Sequence, residues 1–216
     1  MQKIIASIAL TAFAAISGNS YAGSKCIPDN FQANIQPAPS DDWADAQRLH
    51  LMQELRSADR IKNIQEENHD PTPKFWIAAG LQAKSHPDLE RKITKIQKIA
   101  EKITLELKAK HARARPSLAD DSLTTVVPVP WHASYPSGHA TQSMLTALAL
   151  SAAVPGAKDQ LKALAIDVAH GREIAGLHYA SDTQAGFELA QQIWRAIDND
   201  CKPEALPQYH HTPEAK

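Results

Sequence analysis

Three short clusters of charged and polar side chains lie in the second half of the chain, between residues 108 and 182. The first is Lys108 with Arg115-Pro116, the second is Pro136-Ser137-Gly138-His139, and the third is Arg172, His178 and Asp182. The three cations could together neutralise an oxyanion, because arginine offers a bidentate fork and lysine a point charge. A phosphoryl group in transfer spreads negative charge over three oxygens, so this set predicts phosphoryl chemistry.

The second cluster adds an anion site made of backbone. Ser137 is a good N-cap residue, so a helix is expected to begin there, with the N–H groups of Gly138 and His139 free to bind an anion. Gly138 allows the backbone to approach the ligand closely. With this much positive charge no Mg²⁺ is expected, and no carboxylate cluster, Cys-x-x-Cys or His-x-x-x-His spacing predicts a metal site.

The two histidines are predicted to have different roles. Asp182 follows His178 by four residues, so on a helical turn its carboxylate reaches the ring. A carboxylate on Nδ1–H leaves Nε2 free to attack, which makes His178 the predicted nucleophile of a phosphohistidine intermediate. His139 is the predicted general acid for the leaving oxygen and then the base for water. Singly, such residues are more often surface charges, packed histidines or a simple helix cap, but the joint pattern favours catalysis.

In this order and spacing, the ten residues resemble the signature of the type 2 phosphatidic acid phosphatase superfamily, KX6RP, PSGH and SRX5HX3D. That superfamily includes bacterial class A nonspecific acid phosphatases, lipid phosphatases and vanadium haloperoxidases, and it assigns the same roles to the matching positions. One departure is Gly171, which stands where the family usually has serine.

The resemblance implies an exported, metal-independent acid phosphatase that hydrolyses soluble phosphomonoesters without a cofactor. One alternative is a vanadium-dependent haloperoxidase, in which vanadate bound to His178 would be the cofactor, although this chain is short for one. Another is a lipid or isoprenyl pyrophosphate phosphatase. A phosphate-binding module would not explain Asp182 behind His178. The physiological substrate, phosphotransferase activity and the formation of a homo-oligomer stay open.

The composition predicts that helices position these clusters. Alanine, leucine, lysine, glutamate and glutamine are plentiful and valine is scarce, so we expect a single all-α domain over residues 23–202, a bundle of about six or more helices. The balance of 23 basic and 24 acidic residues argues against a nucleic-acid partner. The predicted helices are 41–67 after an N-cap at Ser40, a short one with Phe75, Trp76, Ile77 and Leu81, then 89–107, 137–154, 158–176 and 182–199.

Several neighbouring residues carry weaker expectations. The helix 41–67 should bury Ala44, Leu51, Leu55 and Ala58 on one face. Residues 116–136 should form a loop with one short extended run at 124–129. Lys110 and Arg113 are expected to face solvent. His132 is a candidate for the mouth of the site, and Trp131, Tyr135 and Tyr179 could shape a pocket or pack in the core.

The two ends of the chain predict export. Residues 1–22 read as a signal peptide, because Lys3 precedes an apolar run over residues 4–16 and Ser20-Tyr21-Ala22 fits a cleavage site. An uncleaved anchor is the alternative, although the run is short for a bilayer span. Stable membrane insertion is therefore not expected, and the mature protein should be periplasmic. Cys26 and Cys201, the only cysteines, are expected to form a disulfide there rather than stay free thiols. Residues 203–216 form a predicted flexible tail.

Overall fold

The computed structural model describes residues 26–39 and 43–207. The predicted signal peptide 1–22, the N-cap at Ser40 and residues 208–216 of the predicted tail lie outside the described residues. Within the described ranges the chain forms helices and no β-strand, which confirms the all-α prediction. The helices are α1 Trp43–Gln53, α2 Ala58–Glu66, α3 Thr72–Ala78, α4 Pro87–His111, α5 Pro116–Ala119, α6 Gly138–Ala153, α7 Lys158–Ile174 and α8 Ala180–Ala196, with 3₁₀ turns at Ala83–Ser85, Pro155–Ala157 and Asn199–Cys201.

Helix α6 lies at the centre of the bundle and packs against α4, α7 and α8. Its sequence is rich in alanine and leucine, so neighbouring helices can approach it on most sides. Leu145, Ala149 and Leu150 are fully buried. Burial of one such leucine stabilises the fold by about 1.5–3 kcal/mol. Every residue of α6 is buried or half-buried, so the surrounding helices hold its first turn in a fixed place.

Helix α4 is amphipathic, as its sequence predicts. Leu89, Ile93, Ile96 and Ala100 are buried on one face, which packs against α6. The helix ends at His111, and the capping residue Ala112 has a left-handed φ of 49° and donates its N–H to the carbonyl of Lys108. The chain therefore turns sharply after α4, and the residues that follow no longer keep the helical register.

Helix α8 contacts the first turn of α6 through Gly186. A Cβ atom at this position would lie 2.7 Å from the carbonyl oxygen of Ser137 and 2.8 Å from the Cβ of Ala140. Only glycine permits so close an approach. The contact places the N-terminal turn of α8, which carries Asp182, beside the N-terminus of α6.

The prediction of one helix over residues 41–67 is wrong. The chain breaks between α1 and α2, where the N–H groups of residues 54–56 donate to carbonyls three residues earlier and Ser57 caps α2 by accepting from the N–H of Arg60. The Arg56 side chain donates to the carbonyls of Thr124 and Ile174, which fixes the break. The expected apolar face is exposed at all four positions, Ala44, Leu51, Leu55 and Ala58.

The segment between α4 and α6 also differs in detail from the prediction. Residues 116–119 form the short helix α5, and the expected extended run at 124–129 is not a strand. Gly176 has a φ of 77°, and a Cβ there would collide with the carbonyl oxygen of Thr124. This glycine therefore lets the α7–α8 connection pass beneath the 116–136 segment.

The predicted disulfide is confirmed. Cys26 and Cys201 are bonded, with 5.5 Å between their Cα atoms, and link the N-terminal segment to the 3₁₀ turn after α8. Among the described residues, no helix has both the length and the apolar character that crossing a bilayer requires.

Candidate active site

A cavity of about 260 Å³ lies between the C-terminal end of α4, the N-terminus of α6 and the C-terminal end of α7. Six of the eight predicted catalytic and phosphate-binding residues line it: Lys108, Arg115, Gly138, His139, Arg172 and His178. The other two, Ser137 and Asp182, are fully buried and do not line the cavity. The fold thus brings three clusters that are far apart in the sequence to one opening.

His178 and Asp182 form a hydrogen-bonded pair. The Nδ1–H of His178 donates to Oδ2 of Asp182 at 3.1 Å. Because a carboxylate can only accept, this bond fixes the tautomer and leaves the lone pair on Nε2. Burial lowers the pKa of His178 well below its usual value, so the ring is neutral in the free protein. A neutral imidazole with an unprotonated Nε2 is the state that a nucleophile needs.

Asp182 is held by four groups. Its carboxylate accepts from His178, from the backbone N–H of Tyr179 at 3.0 Å, from the hydroxyl of Ser134 and from Arg113 at 2.6 Å. Burial alone would raise the pKa of Asp182, but the bond from His178 and the charge of Arg113 lower it to about 2. The carboxylate is therefore charged across the working range of pH and keeps His178 oriented.

The expectation that Arg113 faces solvent is wrong. Its side chain is buried, pairs with Asp182 and Asp45, and stacks over the ring of Tyr179 at 4.0 Å from the centroid. The left-handed turn at Ala112 redirects the chain, so a helical wheel drawn through α4 places this residue on the wrong side. Lys110 is exposed, as expected.

Lys108 reaches the cavity from the last turn of α4. Its Nζ donates to the carbonyls of Ala133 and Ser134, both at 2.8 Å. Burial, reinforced by the charge of Arg115, lowers the pKa of Lys108 to about 7, although Asp182 opposes this shift. The ammonium group therefore loses its proton within the physiological range, which an exposed lysine does not do.

Arg115 is fixed from several directions. Its guanidinium donates to the carbonyls of His132 at 3.1 Å and Leu177 at 2.9 Å, and to Nδ1 of His132 at 3.1 Å. One terminal nitrogen lies 3.4 Å from Nε2 of His178. Burial lowers the pKa of Arg115 to about 10, so the group stays charged at neutral pH. The cation is thus held beside the lone pair of the predicted nucleophile.

His132 lines the same cavity. Sequence reasoning proposed it for the mouth of the site, and its ring contacts Arg115. The neighbouring Trp131 is 92% exposed. Tyr135 and Tyr179 are buried and do not line the cavity, and the hydroxyl of Tyr135 donates to the carbonyl of Gln36.

The residues at the end of α2 hold the side chains of Arg172 and His139 in place. Arg172 donates to the side chain of Asn68 at 2.8 Å and more weakly to the carbonyl of Ile64 at 3.4 Å. His139 donates through Nε2–H to the carbonyl of Glu67 at 3.2 Å. Burial lowers the pKa of Arg172 to about 10. Sequence reasoning missed this support, because nothing near Asn68 resembles the three clusters.

His139 is neutral in the free protein. Burial, with the nearby charge of Arg172, lowers its pKa to about 3, and its bond to the Glu67 carbonyl opposes the shift. A bound phosphate dianion would raise this pKa, because an opposite charge favours the imidazolium. His139 can therefore gain its acidic proton when an anionic substrate enters.

Ser137 is the N-cap of α6. Its Oγ accepts from the N–H of Ala140, and its own N–H donates to the carbonyl of Asp182 at 2.9 Å. Gly138 follows as the first helical residue and lines the cavity. The side chain of Ser137 thus shapes the helix N-terminus, while the backbone of the first turn faces the cavity with the positive end of the helix dipole.

At Gly171, the position that departs from the family pattern, space remains for a side chain. A Cβ atom there would lie 3.4 Å from Ile64 and 3.6 Å from Oε2 of Glu67, both ordinary contacts. Glu67 is 2% exposed, and its Oε2 has no hydrogen-bond partner among the described residues. Its other oxygen pairs with Lys74 at 2.8 Å. Glycine here leaves a carboxylate oxygen without a donor.

Within the described part of the chain, no group of three or more His, Cys, Asp or Glu side chains is arranged to hold a metal ion. Apart from the carboxylate of Glu101, the charged groups that line the cavity are donors: one ammonium and two guanidinium groups, beside the first turn of a helix. Such a set fits a tetrahedral or trigonal-bipyramidal oxyanion.

Comparison with solved structures identifies two proteins of related fold. A transmembrane PAP2-type phosphatidylglycerolphosphate phosphatase from Bacillus subtilis matches with a TM-score of 0.53 and 16% identity, over 70% of this chain and 81% of that chain. A bacterial vanadium-dependent iodoperoxidase matches with a TM-score of 0.58 and 16% identity, over 76% of this chain and 52% of that chain, about half its length. No curated protein sequence matches.

The sequence itself also matches a family description. Residues 93–197 match the model of the PAP2 superfamily, and this range contains all three clusters. The fold agrees with that match, since both solved structures share the helical arrangement. The region that carries the candidate site, residues 93–197, is therefore similar to the PAP2 superfamily in sequence, and the fold is consistent with that similarity.

Proposed function

We propose that this protein is an acid phosphatase that hydrolyses phosphomonoesters through a phosphohistidine at His178. The observation that carries the proposal is the orientation of His178: Asp182 holds Nδ1–H, and Nε2 faces the cavity 3.4 Å from Arg115. An oriented, neutral imidazole beside several cations can attack a phosphorus atom and have the developing charge neutralised.

In the first step, the phosphate oxygens would bind Lys108, Arg115, Arg172 and the N–H groups of the first turn of α6. A bond forms between Nε2 of His178 and phosphorus while the bond to the ester oxygen breaks. The imidazolium of His139 gives its proton to that oxygen, so the alcohol leaves neutral. Asp182 stabilises the positive charge that develops on His178.

In the second step, water attacks the phosphorus atom of the phosphohistidine. His139, now neutral, takes the proton of the water, and the bond between phosphorus and Nε2 breaks. Inorganic phosphate leaves, His178 is neutral again, and His139 releases its proton once the anion has left the cavity. Low pH favours the proton on His139 and the charge on Lys108, which supports an acid optimum.

Export and metal independence are part of the proposal. The disulfide between Cys26 and Cys201 supports an oxidising compartment, which we propose to be the periplasm. Three cations and a helix N-terminus supply the positive charge that a metal would otherwise provide. The partner would be a soluble phosphomonoester, and the residues that bind phosphate would bind vanadate as an inhibitor.

The test is a phosphatase assay of the purified mature protein with p-nitrophenyl phosphate at acid pH. We expect turnover that survives exhaustive treatment with EDTA and that vanadate inhibits below millimolar concentration, because a trigonal-bipyramidal analogue binds tightly. Activity lost to EDTA and restored by Mg²⁺ or Zn²⁺ would contradict metal independence. Halide oxidation by the vanadate-loaded protein, faster than its phosphatase turnover, would favour a haloperoxidase instead.

An apolar groove beside the catalytic cavity favours a second candidate, a phosphatase of lipid or isoprenyl phosphates. The groove has a volume of about 450 Å³ and shares five residues with the catalytic cavity: Leu105, Lys108, Arg115, Pro130 and His132. Trp131 and Leu118 line it and are 92% and 70% exposed. Exposed apolar side chains beside a polar site suit an amphiphilic substrate. A kcat/KM that rises with the alkyl length of the ester, and that Trp131→Ala flattens, would establish this candidate. Equal values for glycerol phosphate and long-chain esters would exclude it.

A further inference from the structure

Thr104 differs from the other hydroxyl-bearing residues around it. It lies on α4, one helical turn before Lys108, and lines the catalytic cavity. The residue is 2% exposed, and its Oγ1 has no hydrogen-bond partner among the described residues. A buried hydroxyl without a partner costs free energy, so its retention needs an explanation.

The usual partner of a helical hydroxyl is absent here. Thr141, Thr146 and Ser151 each donate to the carbonyl four residues earlier, at 2.9, 2.8 and 2.6 Å. Thr104 makes no such bond. Three further hydroxyls, those of Ser117, Ser143 and Thr183, also have no partner among the described residues, but none of them lines the catalytic cavity.

The side chain of Thr104 lies beside the helix N-terminus that is expected to bind an anion. Its Cγ2 is 3.9 Å from where a Cβ on Gly138 would lie, so the side chain packs against the first turn of α6. Threonine in a helix populates two χ1 rotamers, which place the hydroxyl in two different directions. A χ1 rotation of about 120° can bring Oγ1 to the place that Cγ2 occupies, beside Gly138 in the cavity that Lys108 and His139 also line.

We propose that the Thr104 hydroxyl is a phosphate-binding group, which donates a hydrogen bond to an oxygen of the phosphoryl group in the cavity. The inference rests on the proposed function, because it takes the cavity as the phosphate site. Lysine and the arginines supply charge but hold the anion through long side chains. A short, buried hydroxyl on the wall of the cavity adds a neutral donor that fixes the orientation of one oxygen.

The test separates binding from stability. Thr104→Val removes the hydroxyl and keeps the shape, Thr104→Ser keeps the hydroxyl, and Thr146→Val is the matched control, because Thr146 has partners and lies outside the cavity. The affinity for inorganic phosphate is measured by calorimetry at acid pH, and unfolding is measured without phosphate. Thr104→Ala serves if the valine variant does not fold.

We expect Thr104→Val to weaken phosphate binding about tenfold or more, the usual worth of a hydrogen bond to a charged group. Its phosphate-free stability should equal or exceed that of the wild type, because an unpartnered hydroxyl has been replaced by a methyl group. Thr104→Ser should bind within about threefold of the wild type. Thr146→Val should lose stability and bind phosphate normally.

Two results would overturn the inference. One is phosphate affinity of Thr104→Val within twofold of the wild type, roughly the scatter expected for a change that removes no contact. The other is a loss of stability like that of Thr146→Val with unchanged binding, which would make the hydroxyl structural. A wild type that binds phosphate through Thr104 without hydrolysing esters would refute the proposed function and leave this assignment standing. An active wild type whose binding ignores Thr104 would refute the assignment alone.

Discussion

The charge of Lys108 should set the alkaline limit of activity. The side chain is 2% exposed, and burial lowers its pKa to about 7. In the free protein it is therefore cationic below pH 7 and neutral above it, and the neutral amine no longer attracts a phosphate oxygen. The value of kcat/KM reports ionisations of the free enzyme, so the loss of this charge should lower kcat/KM by a further factor of about ten for each pH unit above 7, and of about 100 by pH 9, beyond any decline caused by His139 or the substrate.

The assay compares the wild type with Lys108→Arg, using p-nitrophenyl phosphate from about pH 5 to about pH 9. A guanidinium stays charged over this range, so the pH profile of the variant should lack the decline that begins near pH 7, even where the overall rate is lower. Ionisation of the substrate is common to both proteins and cancels in the ratio of their kcat/KM values. Bound phosphate raises the pKa of Lys108, so the limb in kcat should lie at higher pH than the limb in kcat/KM.

The reasoning is refuted by a ratio that stays constant from pH 6 to pH 9, because the limb would then belong to another group. Calorimetric affinity for inorganic phosphate over the same pH range gives a second reading that does not depend on turnover. There the wild type should lose affinity above pH 7, and Lys108→Arg should lose less.

Three further predictions concern the support of the site. Arg113→Leu should lower the free energy of unfolding by about 3–5 kcal/mol, because it leaves the buried carboxylate of Asp182 without its ion pair. Denaturant unfolding measures this loss, and a loss below about 1 kcal/mol would contradict the prediction. Gly171→Ser should raise the free energy of unfolding by about 0.5–1.5 kcal/mol, because the serine hydroxyl can donate to the carboxylate of Glu67. Gly171→Ala is the control for the gain in helix propensity alone. A melting temperature of the serine variant no higher than that of the alanine variant would count against the hydrogen bond. Reduction of the disulfide should cost up to about 4–5 kcal/mol on the chain-entropy model and leave kcat/KM of the folded protein unchanged; a thermal melt that reduction does not shift would be contrary evidence.

The sequence predicts best those helices in which apolar residues repeat at a regular spacing. Helix α4 repeats apolar residues every three or four positions, and Leu89, Ile93 and Ile96 are buried as that pattern requires. The break between α1 and α2 has no such signal. It depends on Arg56, whose side chain bonds the backbone at Ile174, more than a hundred residues away. A local pattern cannot report a contact of that kind.

The same difference between local patterns and long-range contacts holds in the candidate active site. The groups that would face the phosphate have fixed spacings, so the sequence alone singled them out. The groups that hold them come from elsewhere: Asn68 and the carbonyl of Glu67 lie at the end of α2, far from the clusters they support. Arg113 was misplaced because the helical register ends at Ala112. The only hint in the sequence was that Arg113 lies two residues before Arg115. A helical wheel gives no direction for a side chain that lies beyond the end of the helix.

The central claim is that His178 carries the phosphoryl group, and rapid-quench trapping tests it directly. The protein is mixed with labelled substrate, quenched in alkali and examined for acid-labile phosphoprotein. The wild type and the control His170→Ala, whose residue does not line the cavity, should both form it. His178→Ala should form none and should not turn over, because no covalent intermediate can be made. Phosphoprotein in His178→Ala at the level of the wild type would show that the nucleophile is another residue.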